Sequence, residues 1–369
     1  MKISIAKEQL LNGLQAVQNV VGTRTTLPIL SNVLLSAAGN RLELTATDLD
    51  VTISCSVEAT VHTPGRTTIP VKKLMGIARE LPNGDIDLEV DAKAVCALQA
   101  GSSYYRINGL SADDFPPIPV FKQSRAVTLG QDQLRAMLKR TSFAVSNDEN
   151  RYVLNGIFFS FKDKKATLVA TDGRRLAFTD EDAEIPEENQ ADFIVPTKAI
   201  NEVNRLVGTV GQVEIKFSEN QVSFAMAAEG VPGALIISKL VEGSYPNYSQ
   251  VIPKECLERM TLPREEFLSA LKRAELMTSE KSNSVKLTFS RNQLAITANT
   301  PEVGEAREIL TFNYKGKDFA IAFNPIYLMD PLKALETDEI YFELIDELSP
   351  GVVKTSAPFL YVIMPMRMS

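Results

Sequence analysis

The feature that most constrains this chain is an internal repetition. A tract of apolar alternation ending near an Asp or Asn occurs three times, as Thr45-Ala46-Thr47-Asp48, Val169-Ala170-Thr171-Asp172 and Ile296-Thr297-Ala298-Asn299. A second landmark precedes each: Lys7-Glu8-Gln9-Leu10, Gln131-Asp132-Gln133-Leu134 and Arg264-Glu265-Glu266-Phe267. A third follows, as Ile69-Pro70-Val71-Lys72, Val195-Pro196-Thr197-Lys198 and Phe323-Asn324-Pro325-Ile326. Landmarks recurring in one order at intervals of about 125 residues mark copies of one supersecondary unit. Boundaries fall near residues 122 and 254, giving copies 1–122, 123–254 and 255–369. Pro116-Pro117-Ile118-Pro119 and Tyr245-Pro246-Asn247-Tyr248 close the first two as turns.

Each copy follows one plan. A short strand leads into a helix with apolar residues at helical spacing, such as Leu10, Leu14 and Val17, or Leu134, Met137 and Leu138. Alternating strands then pair through turns such as Gly39-Asn40 and Asp163-Lys164. Proline or its neighbour opens a second helix, and more strands follow. The expected copy has about two helices and eight strands, an α+β fold with helices on one face of antiparallel sheet. Helices are predicted over 7–20, 71–81, 131–143, 197–207, 264–277 and 325–335.

The residue inventory removes much enzyme chemistry. His62 is the only histidine, which leaves no Cys/His zinc site of the usual kind and no Ser-His-Asp triad beyond that one ring. No run matches the phosphate-binding glycine patterns. Cys55, Cys96 and Cys256 are odd in number and widely spaced, which fits a reducing compartment better than a disulfide framework. No apolar run approaches the roughly 20 residues that span a bilayer. The first residues carry no export pattern, so a cytoplasmic protein without membrane attachment is expected. No cofactor and no metal are implied.

Ala170 to Ala177 (Ala-Thr-Asp-Gly-Arg-Arg-Leu-Ala) reads in several ways by itself. Asp172 could be a catalytic acid, and the turn could present Arg174 and Arg175 to phosphate. The plainer reading is a strand ending in an Asp-Gly turn, where glycine supplies a positive φ.

Charge is unevenly placed. The chain carries a net charge of -7, yet the six predicted helices together are positive, so everything outside them is more acidic still. For any single helix, a solvated lysine-rich face is explanation enough. Lys139-Arg140 and Lys272-Arg273, however, occupy matching positions in two copies, and Lys72-Lys73 and Lys198 begin matching helices. Position-matched positive charge favours a shared task such as following a phosphate backbone. No base-reading motif accompanies it, so contact would be independent of sequence.

The chain resembles, from end to end, the bacterial DNA polymerase III β subunit family of sliding clamps. The resemblance rests on Thr26-Leu27-Pro28-Ile29-Leu30-Ser31-Asn32, Arg151-Tyr152-Val153-Leu154-Asn155-Gly156, Ala170 to Ala177, Ser238-Lys239-Leu240-Val241-Glu242-Gly243-Ser244-Tyr245-Pro246 and Tyr361-Val362-Ile363-Met364-Pro365-Met366-Arg367. It implies three clamp domains per chain and a head-to-tail homodimer ring around duplex DNA. Size agrees: with helices about 10 Å wide, six give a ring of roughly 60 Å and a bore of about 9 Å, while twelve give roughly 120 Å and about 28 Å. Only the larger ring admits a duplex, and a head-to-tail contact closes by rotation.

The resemblance also implies sites. DNA contact would fall on Arg24, Tyr152, Lys72, Lys73, Lys198 and Arg205, joining Lys139, Arg140, Lys272 and Arg273 from the charge pattern. Asp148 and Glu149 place acid in the loop 147–150 and argue against strong contact there. The subunit contact would join Lys73, Tyr104, Tyr105 and Ile107 to Leu276, Met277, Glu302, Glu305 and Glu308. A hydrophobic cleft for partner peptides would be lined by Leu154, Thr171, Gly173, Arg174, Leu176, Pro246, Gln250, Val251, Val362, Met364, Pro365, Met366 and Arg367. Alternation lets Tyr361 and Ile363 face inward while Val362 and Met364 face that cleft. The expected partners are the polymerase III α subunit, the clamp loader, and other polymerases and repair proteins carrying short linear motifs.

Two other functions compete with a non-enzymatic processivity clamp. One is a phosphoesterase using Asp48 and Asp172, which the repeats place in separate copies. The other is a repeat scaffold that binds proteins only.

Overall fold

The computed structural model describes residues 1–22, 27–121, 124–228, 231–279 and 283–367. Arg24 and the boundary near residue 122 lie outside the described residues. Among the described residues, six α-helices occur where the periodicity predicts them: α1 (Lys7–Val17), α2 (Val71–Glu80), α3 (Gln131–Thr141), α4 (Thr197–Leu206), α5 (Arg264–Glu275) and α6 (Pro325–Ala334). Among the described residues the second and third copies have eight strands each, as expected. The first has nine, because Thr60–Thr63 forms an extra edge strand against Lys2–Ala6.

The hairpin turns follow from local chemistry. Asp163 and Lys164 both take positive φ, 52° and 59°, the pair of left-handed residues that a tight two-residue hairpin requires. Lys162 then pairs with Lys165 and Phe158 with Val169.

The chain divides into two compact units, one of residues 1–135, 186–189 and 195–241, the other of residues 136–185, 190–194 and 242–369. Neither unit is a repeat. In the first, the last strand of the middle copy, Val231–Lys239, pairs antiparallel with Val51–Glu58, setting Ile236 opposite Ile53. In the second, Phe359–Ile363 pairs with Arg175–Asp182, setting Val362 opposite Leu176. Each pairing joins two four-stranded runs into one eight-stranded sheet. A five-stranded sheet completes the first unit and a four-stranded sheet the second.

Helices cover one face of these sheets. In the first unit α1 packs on α2 and on the strands Arg41–Thr47 and Val51–Glu58. It buries Leu10, Leu14 and Val17, each worth about 1.5–3 kcal/mol. Gly13 permits the close approach, since a Cβ there would lie 2.6 Å from Leu44 Cδ1. In the second unit α5 packs on α6 and buries Phe267, Leu271 and Ala274.

The copies share a tie at the start of the first helix. The backbone N–H of Lys7, Gln131 and Arg264 donates to the carbonyls of Gly84, Gly211 and Asp338 at 2.9, 3.0 and 2.9 Å. Their side chains satisfy groups in the last turn of the second helix or just past it. Lys7 Nζ bonds the Arg79 carbonyl at 3.0 Å and that of Leu81; Arg264 bonds those of Leu332 and Thr337 at 2.9 and 2.6 Å. Gln131 Oε1 instead accepts from Gly208 N at 2.8 Å. Three different residues thus solve one problem, the unpaired groups at a helix end.

Candidate functional site

The Ala170 to Ala177 tract is built as a strand and turn. Asp172 Oδ1 accepts the N–H groups of Arg174 and Arg175 at 2.9 and 3.1 Å, and Gly173 sits at φ 85°. Asp48 holds the matching turn of the first copy, accepting from Asp50 and Val51 at 3.0 and 2.8 Å. The third copy departs from this pattern: Asn299 lies inside the strand Gln293–Thr300, opposite Glu305, because the strand runs on past the position where the others turn. These bonds commit Asp48 and Asp172 to turn geometry and leave the phosphoesterase reading without a nucleophile or base.

Above this turn the eight-stranded sheet of the second unit presents apolar residues on the face away from its helices. Val169, Leu176 and Val362 are buried, with Phe158, Phe178, Leu360, Tyr245, Tyr248 and Ile252 packed against them. Phe158 stacks on Tyr245 with ring centroids 5.0 Å apart, and Tyr248 leans on Phe158 and Phe178. Alternation sends Ala177, Tyr361 and Ile363 to the opposite face, where they are fully buried. Burial holds the Tyr245 and Tyr361 phenols well above their ordinary range.

The segment from Tyr245 covers only part of this face. Met364 and Met366 remain 44% and 39% exposed, Val251 48%, and Arg174, Gly173, Pro246, Gln250 and Arg367 are also exposed. Leu154 is buried, and Thr171 and Pro365 are half-buried. The terminal tract stays in register, since Met364 N donates to Arg174 O at 2.9 Å and Met366 N to Ala322 O at 2.7 Å. All the residues expected to line a peptide cleft belong to one unit, and Leu176 and Val362 among them share the apolar cluster beside the Asp172 turn. Sequence reasoning missed Arg175, Phe158, Phe178, Tyr245 and Tyr248. The alternation signal could have supplied Phe158 and Phe178, which share a face with Val169 and Leu176.

The basic residues have mixed fates. Lys72, Lys73 and Lys272 are exposed on their helices, and among the described residues none of them has an ion pair. Lys139 pairs with Glu336 at 2.5 Å, Lys198 with Asp48, and Arg205 with Glu202 at 2.5 Å. Arg140 bonds Glu181 at 2.9 Å and Arg273 bonds Glu308 at 2.6 Å. Glu181 and Glu308 lie on matching strands, the fourth of their copies, so the position-matched arginines tie helix to sheet. Arg140 and Arg273, expected on a phosphate track, thus each carry a structural bond within the fold. Arg273 in turn holds the Glu308 carboxyl below its usual range. In the loop 147–150, Asp148 is a cap: its Oδ1 accepts from Asn150 N at 3.0 Å, which also lowers its pKa. Tyr152 is 59% exposed, and its hydroxyl lies near Gly243 in the stretch leading to Tyr245.

Two sheet edges are open. Ser103–Asn108 is the outermost strand of the five-stranded sheet, with Tyr104 61% and Tyr105 39% exposed, while Ile107 turns inward and is buried. Ile107 therefore supports this edge from beneath and is not on its surface. Gly304–Thr311 is the outermost strand of the four-stranded sheet, flanked by exposed Leu276 and Val303 and carrying exposed Ile309. Glu302 and Glu305 are exposed, and Met277 and Glu308 are half-buried. Such edges invite another chain unless blunted.

A hollow of about 660 Å³ lies on the open face of the five-stranded sheet, lined by Ser4, His62, Asp87 and charged neighbours. Ser4 Oγ donates to Asp87 at 2.5 Å and meets His62 Nε2 at 2.9 Å. The acid holds the hydroxyl directly, so it does not orient the imidazole as a triad requires. Burial also pushes the Cys55 and Cys96 thiols up to about 11 and about 12, away from nucleophilic character.

The three copies match three family models in order. These are the N-terminal, central and C-terminal domains of the DNA polymerase III beta subunit, over residues 1–119, 128–247 and 249–367. The beta sliding clamp of Chlamydia muridarum is 36% identical over all of this chain and 99% of its own length. Among solved structures, a sliding clamp (DNA polymerase III subunit beta) from Pseudomonas aeruginosa bound to griselimycin superposes with a TM-score of 0.94 at 36% identity. It covers all of both chains. A clamp from Bartonella birtlesii bound to griselimycin gives 0.94 at 34% identity, again over all of both chains.

Proposed function

The chain belongs to the DNA polymerase III β subunit family, and on that premise we propose that two copies close head to tail around duplex DNA and tether partners through the cleft at Leu176 and Val362. It is a sliding clamp of DNA replication, a non-catalytic processivity factor. The observation that carries the tethering half is the apolar sheet face built on buried Val169, Leu176 and Val362 and only partly covered by the segment from Tyr245, with exposed Met364, Met366 and Arg174 at its rim. Methionines adapt to differing side chains, which suits one cleft serving many short peptides. Those peptides belong to the polymerase III α subunit, the clamp loader, and other polymerases and repair proteins.

Ring closure uses the two open edges. The Tyr104 edge of one protomer meets the Ile309 edge of its partner, with Leu276 and Met277 packing beside them and Lys73 facing Glu302 and Glu305. Aromatic and aliphatic packing inside a charged rim is the anatomy of a stable interface. DNA contact then rests on Lys72, Lys73 and Lys272, with Lys139 and Lys198 joining when phosphate displaces Glu336 and Asp48. Arg24 and Tyr152 complete the set, and Arg205 serves chiefly to hold α1. The domains are copies 1–122, 123–254 and 255–369, and the compartment is the cytoplasm.

The test is topological. Loaded on a closed circle, the clamp should remain after high salt has weakened its phosphate contacts, and should run off a linear duplex of the same sequence. Equal loss from circle and line would refute the ring. For the cleft, griselimycin serves as the probe, and we place its binding at Leu176, Val362 and Met364.

A further inference from the structure

Arg175 is buried behind the cleft, and several groups hold it. Its Nε meets Asp172 Oδ2 at 3.0 Å, Nη1 meets Asp330 Oδ2 at 2.5 Å, and Nη2 donates to Phe143 O at 2.7 Å. The guanidinium also lies 4.4 Å from the Tyr327 ring centroid. Its side chain is only 9% exposed. Asp330 and Tyr327 belong to α6 of the third copy, while Phe143 follows α3 of the middle one.

The first unit builds the corresponding junction with a different arginine. Arg205, in the last turn of α4, donates to Gln15 O at 3.0 Å and Ala16 O at 2.5 Å, near the end of α1. It also pairs with Glu202. Glu202 and Asp330 are both the sixth residue of their helices. Both junctions therefore join an acid on the second helix of one copy to carbonyls at the end of the first helix of the copy before it. In the first unit the arginine comes from the helix itself. In the second it comes from the wall of the cleft, and Val51 stands where Arg175 would be in the first copy.

We propose that Arg175 is a positioning residue through which the cleft's affinity for an apolar peptide ligand depends on the lock between the middle and third copies. The turn that presents Thr171, Gly173, Arg174 and Leu176 is closed by backbone bonds of Arg175, and the guanidinium holds Asp172 Oδ2, the other oxygen of the carboxylate that caps it. Arg175 O accepts from Thr171 Oγ1 at 2.5 Å, and its N–H bonds Asp172. Without the guanidinium, Asp172 and Asp330 face each other half-buried. Among the described residues, Lys333, 3.6 Å from Asp330, and the exposed Arg151, whose Nη1 bonds Asp172 O at 3.3 Å, offset them in part. Repulsion would then move the turn and Leu176 with it.

The inference rests on the cleft reading above, and one titration series separates the two. Griselimycin is titrated into full-length wild type, Arg175→Met, Arg175→Lys and Arg205→Met, with thermal melts in parallel. Wild type binds; Arg175→Met loses about tenfold or more in affinity, and Arg175→Lys recovers part of it. Arg205→Met lowers the melting temperature comparably yet binds within about twofold of wild type. Wild-type affinity in Arg175→Met, or equal weakening in Arg205→Met, overturns the positioning role. Absence of binding in wild type removes the cleft reading and this inference with it. If Arg175→Met does not fold, Asp330→Asn carries the same expectation, a loss of about threefold or more, and unchanged affinity overturns it.

Discussion

Arg273 Nη2 bonds Glu308 Oε2 at 2.6 Å, and Arg140 repeats that tie to Glu181 one copy earlier. Matching charge between repeats thus marks a shared structural joint. Arg140→Ala should cost about 1 kcal/mol of stability, since its pair is only partly exposed, and leave the salt dependence of DNA binding unchanged. Lys72→Ala, Lys73→Ala and Lys272→Ala should do the reverse. Each should reduce the slope of log K against log salt by about 0.9 per site with little change in melting. Binding isotherms at several salt concentrations read both outcomes.

In the proposed ring, closure uses the exposed side chains of the Tyr104 and Ile309 edges. Wild type should sediment at twice the 40.6 kDa chain mass. Tyr104→Asp or Ile309→Asp should shift the population to monomer at micromolar concentration while preserving the fold, because both side chains are more than half exposed. A dimer that persists in both variants would place the interface elsewhere.

Removal of residues 364–369 should abolish griselimycin binding and leave the dimer intact. The cut takes away exposed Met364 and Met366 but keeps Val362 and the strand pairing opposite Leu176. Calorimetry alongside sedimentation checks the two halves. Normal binding by the truncated chain would reassign the cleft.

Much of this was legible because repetition multiplies weak signals. The helix starting at Lys7 has no side-chain cap, yet its counterparts at Gln131 and Arg264 begin at matching places, and all three occur. Alternation separates Val362 from Tyr361 and Ile363, while its place in a cleft comes from the family resemblance. The fates of charged residues follow from neither. Sequence shows that Lys198 and Asp48 exist, but only folding brings the start of α4 to the first copy's turn. Arg174 and Arg175 are neighbours of identical chemistry, and strand alternation sends one to solvent and the other inward. Which one was which depended on register with Ile363.

Acid should act late. Asp91, Asp148 and Asp346 accept backbone N–H bonds that lower their pKa values, so each is depressed in the folded state. A depressed carboxylate contributes stability that is present above its unfolded value near 3.9 and lost as pH falls through the folded one. Melting temperature should therefore hold from pH 7 to about 5 and drop below about 4. Asp148→Asn with Asp346→Asn should flatten that drop; a steep loss between pH 7 and 5 would point to other groups.

The eight-stranded sheets set a timetable for synthesis. Val51–Glu58 leaves the ribosome long before its neighbour Val231–Lys239 has been made. At roughly 5–20 residues per second that wait is about 10–35 s, during which a β-rich edge stands without its partner. The stretch of chain that was duplicated is shorter than the stretch that must be present before a sheet can close. A gene cut at the end of the first copy would leave Val51–Glu58 without its neighbour, and one cut after residue 241 would close that sheet yet leave Arg175–Asp182 without Phe359–Ile363.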